Sequence, residues 1–64
     1  MQGLVKFFNS HKGFGFIKTD EYESEIYVHV SSTLDKIKEG DLVEFELGEN
    51  SRGACALKVH RVKN

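Results

Sequence analysis

A chain of 64 residues, 39% of them hydrophobic, holds one small core and excludes a two-lobed enzyme with an interdomain cleft. Its one cysteine, Cys55, excludes a disulfide-stapled scaffold and fits a reducing, cytoplasmic compartment; no apolar run nears the roughly 18 residues that span a bilayer. The formal net charge of −1 hides an uneven distribution, because Lys6, Lys12 and Lys18 stand without an acid in residues 1–18 while Asp20, Glu21, Glu23 and Glu25 crowd residues 19–25.

The chain has no proline, no internal repeat and no low-complexity tract, which predicts a single domain over residues 1–64. Residues 3–8 are rich in β-formers and predict a first strand. Residues 9–13 form a turn set ending in Gly13. Residues 14–18 and 25–30 then alternate as second and third strands, with Ile26, Val28 and Val30 on an aliphatic inner face. The acidic residues 20–25 read as a solvated turn between them. A single helical turn at most is expected in residues 31–40, where only Leu34 and Ile37 are apolar and Gly40 stops any helix. Residues 41–47 predict a fourth strand with Val43, Phe45 and Leu47 inward and Glu44 and Glu46 outward, residues 48–53 a longer polar loop, and residues 54–62 a fifth strand. Five short strands separated by turns point to an all-β barrel, closed or nearly so.

The aromatic residues carry the functional signal. If Ile17 and the aliphatic face of the third strand point inward, then Phe14, Phe16, Tyr27 and His29 lie together outside the sheet. Two phenylalanines at period two also suit a buried strand. The neighbouring Lys12 and the intervening Gly15 favour the outward placement, since a glycine inside a strand marks a tight bend or a close approach. Flat rings on an open sheet stack the bases of a single strand, and lysines beside them follow its phosphates. Adjacent Phe7 and Phe8 face opposite ways unless a bulge intervenes.

The strings KGFGFI at residues 12–17 and IYVH at 26–29 closely resemble the two RNP-like motifs of the bacterial cold-shock domain family. The similarity extends to GLVKFFNS at 3–10, EGDLVEF at 39–45 and SRG at 51–53, so it covers nearly the whole chain. It implies a five-stranded antiparallel OB-fold (Greek-key) barrel that binds single-stranded RNA and DNA, melts weak RNA structure and can act as a transcription antiterminator. By that resemblance Lys6, Phe7, Lys12, Phe14, Phe16, Tyr27, His29 and Arg52 match positions that face nucleic acid, and Phe8 matches an aromatic at the platform edge. The chain departs from the family at Phe7, where tryptophan is usual, at Val30, where phenylalanine is common, and at Ala54 and Cys55, in place of Pro-Gln. Its 31–40 segment is shorter and lacks an aromatic. Fewer and smaller stacking surfaces imply weaker binding or a shorter footprint.

Other chemistry finds little support. His11, His29, His60 and Cys55 fall at no zinc-site spacing, and residues 13–15 lack the third glycine and following helix of a phosphate loop. No catalytic constellation is legible, so the chain reads as a non-enzymatic monomer without cofactor, metal, small-molecule substrate or membrane partner. The alternative is a small β-barrel that binds protein through the same aromatic face or an open sheet edge.

Overall fold

The computed structural model describes residues 1–51 and 53–62. Its five strands are β1 (Gln2–Asn9), β2 (Phe14–Thr19), β3 (Tyr22–His29), β4 (Leu42–Asn50) and β5 (Gly53–Arg61), with a 3-10 turn at Val30–Ser32. Hydrogen bonding orders them β1-β2-β3-β5-β4 and returns from β4 to β1, which closes the barrel. Every pairing is antiparallel except β3 with β5, which is parallel and joins Tyr27 to Cys55. The seam that closes the barrel between β3 and β5 is its narrowest, a single described pair. No helix of the described residues is long and apolar enough to cross a membrane.

The period-two patterns place the core. Val5 of β1, Ile17 of β2, Ile26 and Val28 of β3, Val43 and Phe45 of β4 and Ala56 and Val59 of β5 are all buried. Ile37, from the β3–β4 connection, joins the same cluster. That connection is pinned to the barrel by a parallel bridge between Thr33 and Val59 and by the Leu34 N–H donating to the Val59 carbonyl at 2.6 Å. Such anchoring lets a segment with little regular structure bury an isoleucine without orphaning its backbone.

Four expectations are corrected. The acidic turn is confined to Asp20 and Glu21, because β3 begins at Tyr22 and takes Glu23 and Glu25 into the strand. Val30 does not continue the inner face of β3. Alternation ends at His29, where the 3-10 turn begins, and Val30 is 48% exposed, its N–H bonded to the Gly13 carbonyl. Leu47 is exposed as well. It is 41% exposed although its cross-strand partner Ala56 is buried, and it follows a slip in the β4–β5 register between Glu44 and Glu46. Residues 48–53 are mostly strand rather than loop, since Gly48, Glu49 and Asn50 pair with Cys55, Ala54 and Gly53.

Candidate nucleic-acid interface

The outer face of β1, β2 and β3 is assembled around a break in β1. Val5 pairs with Ile17 and Phe7 with Phe16, so Lys6 is an extra residue in a bulge. The bulge shifts the parity of the strand: Val5 points inward, Lys6 and Phe7 both lie on the exposed face, and Phe8 turns toward the barrel. It therefore serves Lys6 and Phe7 rather than bringing Phe7 and Phe8 to one side. Phe8 packs against the core cluster and pairs with Gly15. Gly15 is required there, because a Cβ would run into the Phe7 carbonyl oxygen and stand 2.7 Å from Cδ1 of Phe8. The close approach inferred for this glycine is made by the chain's own first strand.

On the outer side the rings form one contiguous surface. Phe16 stands between Phe7 on β1 and Tyr27 on β3, and Phe14 opposite His29. Ring centroids are 5.9 Å apart for Phe7 and Phe14, 6.1 Å for Phe14 and Phe16, and 6.0 Å for Phe16 and Tyr27. Phe14 and Tyr27 are nearly parallel, 17° between planes at 6.2 Å. The other three contacts are edge-on, at 60°, 87° and 71° between planes, so the rings form a contiguous apolar surface of mixed orientation.

His29 ends the row and has a second task. Its Nδ1 accepts from the Ser31 N–H at 3.1 Å, capping the 3-10 turn, and lies 2.9 Å from the Ser31 hydroxyl. With Nδ1 accepting, the neutral ring carries its hydrogen on Nε2, the nitrogen left to donate outward. Lys12 belongs to the β1–β2 turn, which Asn9 shapes by accepting the His11 and Lys12 N–H groups on Oδ1, each at 3.0 Å. Gly13 completes it at φ 74°, where other residues are strained. Lys6 and Lys18 extend the basic side past Phe7 and Phe16, the Lys18 ammonium donating to the Glu23 carbonyl at 3.5 Å. Arg52, the remaining predicted residue, lies outside the described residues.

The structure thus gathers Lys6, Phe7, Phe14, Phe16, Tyr27 and His29 on one face, with Lys12 at its end and Phe8 beneath it. It also places Cys55 next to Tyr27, a neighbour that sequence reasoning missed. Only the parallel β3–β5 register brings the two together, and no local pattern announces a pairing across 28 positions. The described residues contain no group of histidine, cysteine, aspartate and glutamate able to hold a metal ion.

Comparison with known proteins agrees with this geometry. Residues 1–62 match the family described as 'Cold-shock' DNA-binding domain. Cold shock protein CspA of Staphylococcus aureus is 45% identical over 62 residues, covering 91% of this chain and 92% of its own length. The namesake of Staphylococcus haemolyticus gives the same identity and coverage. Among solved structures, drosophila Unr CSD456 superposes with a TM-score of 0.82 at 25% identity, over 97% of this chain and 26% of that one, so the present chain spans about a quarter of its length. Closed barrel, exposed aromatic cluster and sequence similarity together make this chain a member of the cold-shock DNA-binding domain family of non-enzymatic nucleic-acid binders.

Proposed function

We propose that the protein binds single-stranded RNA and DNA with slight sequence preference, stacking bases on Phe7, Phe14, Phe16, Tyr27 and His29. Lys6, Lys12 and Arg52 follow the phosphates, and Phe8 supports the edge of the platform. The observation that carries this reading is the contiguous cluster of rings that three strands bring to one outer face, with centroids 5.9–6.2 Å apart. A protein that stacks unpaired bases on its surface opposes hairpin formation, so its cellular role is that of a cytoplasmic, monomeric RNA chaperone and transcription antiterminator.

The test is a titration of fluorescently labelled oligothymidine, followed by anisotropy, with wild type and a Phe14→Ala, Phe16→Ala double variant. Stacking is worth about 1–3 kcal/mol per base, so the double variant loses at least about thirtyfold in affinity. Its far-ultraviolet circular dichroism should stay native, because neither ring belongs to the buried cluster. Unchanged oligonucleotide affinity in the folded variant would assign the aromatic face to a protein ligand instead, and equal affinity for duplex would remove base stacking from the account.

A further inference from the structure

A second apolar spot lies on the outer surface beside the aromatic rings, across Lys6 and Lys18. Beyond Phe7 and Phe16, toward the β2–β3 turn, Leu4 of β1 pairs with Lys18 of β2 on one side and with Leu42 of β4 on the other. Both leucines are open to solvent, Leu4 at 47% and Leu42 at 43% exposure. They line a shallow groove of about 520 Å³ together with Lys6, Lys18, Asp20 and Glu21. An exposed leucine pair between two lysines is not needed to fill the core, which excludes both.

Charge divides this end of the barrel. Glu23 and Glu25 continue β3 past Tyr27, and Asp20 and Glu21 form the β2–β3 turn, whereas β1 and β2 contribute Lys6 and Lys18. A polynucleotide leaving the rings is repelled along β3 and drawn over β1 and β2, which leads it into the leucine groove. Asp20 and Glu21 line the same groove, so a further phosphate meets negative charge there.

We propose that the Leu4–Leu42 groove is a terminal nucleotide subsite: it takes one nucleoside beyond the aromatic platform, its base on the leucines and its linking phosphate between Lys6 and Lys18, and the turn acids stop the strand there. The proposal rests on the platform reading and deepens it. The groove's place beside the rings on β1 and β2, with Lys6 and Lys18 on the side that faces them, selects nucleic acid over a protein as the occupant of this patch. The acid stop further implies that an end phosphate is unwelcome, so a terminal hydroxyl is preferred at that end of the strand.

A length series of oligothymidines, from about four to about ten nucleotides, tests this against wild type and Leu42→Ser. Wild type should show a final gain of about threefold to tenfold when the strand first reaches the groove. Leu42→Ser should lose that step alone while binding the short oligomers that cover only the rings as wild type does. A phosphate on the groove-side end should cancel the gain in wild type. Equal gains in both proteins, or none in wild type, would overturn the subsite and leave the platform standing. Failure of the short oligomers to bind would overturn the platform and the subsite with it. Wild-type dimerisation that Leu42→Ser abolishes, with oligonucleotide binding unaltered, would overturn the proposal and assign the leucines to self-association; size exclusion with light scattering reads that outcome.

Discussion

Gly15→Ala puts the close approach of β1 and β2 to a quantitative test. The new Cβ would collide with the Phe7 carbonyl oxygen and stand 2.7 Å from Cδ1 and 2.8 Å from Cα of Phe8. Two of these three atoms are backbone, so no rotamer change relieves the contact and β1 must lift away from β2 at the Phe8–Gly15 pair. Overpacking in a well-packed site costs about 1–3 kcal/mol where side chains yield, and a backbone obstacle places this substitution at about 3 kcal/mol. Each kcal/mol moves the melting midpoint of so small a domain by about 4–8 °C, giving a fall of about 12–24 °C. Gly40→Ala is the control. Gly40 has φ 93° and nothing within 4 Å of the position of a Cβ, so its cost is backbone strain alone, about 1–2 kcal/mol. Thermal melts by circular dichroism compare the two, and anisotropy below the lower midpoint shows whether displacing Phe7 weakens oligonucleotide binding. A Gly15→Ala midpoint within about 2 °C of wild type, or a larger loss in Gly40→Ala, would refute the steric argument.

Lys58 is the one described non-glycine residue at positive φ, 52°, and its ion pair with Glu46 joins side chains 71% and 65% exposed. Lys58→Asn should therefore raise the midpoint by a few degrees, relieving up to about 1 kcal/mol of left-handed strain while giving up an exposed pair worth little; a lower midpoint would contradict this. Ile26→Ala, at a position with no exposure, should cost about 2–5 kcal/mol in urea titration and leave little folded protein at 37 °C. His29→Ala should weaken oligonucleotide binding and also expose the Ser31 amide to faster hydrogen exchange, since the cap and the outward ring are lost together. With Lys6, Lys12, Lys18 and Arg52 as the basic groups that meet phosphates, the slope of log K against log salt should be about −3; a slope steeper than about −5 would mean that charge, and not stacking, dominates.

How far the sequence could be read depended on whether the governing contact was local. The alternation of Phe14, Phe16 and Ile17 and of Ile26, Tyr27 and Val28 is a property of single strands, and both strands appear with the expected faces. The outward cluster of Phe14, Phe16, Tyr27 and His29 was legible for the same reason. Phe7 and Phe8 were not, because parity fails at a bulge, and the extra residue at Lys6 reverses every assignment after it. Val30 was misplaced because a histidine cap ended the strand one residue before its pattern did. The exposure of Leu47 and the adjacency of Cys55 to Tyr27 depend on register between strands, which the spacing within either strand does not encode.

All the rings of the platform precede residue 30, yet the layer beneath them is completed by Val43, Phe45, Ala56 and Val59 from the last two strands. A growing chain that has exposed its aromatic residues therefore has nothing to hold them in register until β5 is available to close the ring. Occupancy and folding are then linked quantities: a ligand at 100 times its dissociation constant adds about 2.7 kcal/mol to a domain of this marginal size. Nucleic acid in the cell would act on this protein as a folding partner, and clipping β5, which carries no ring of the platform, would abolish binding all the same.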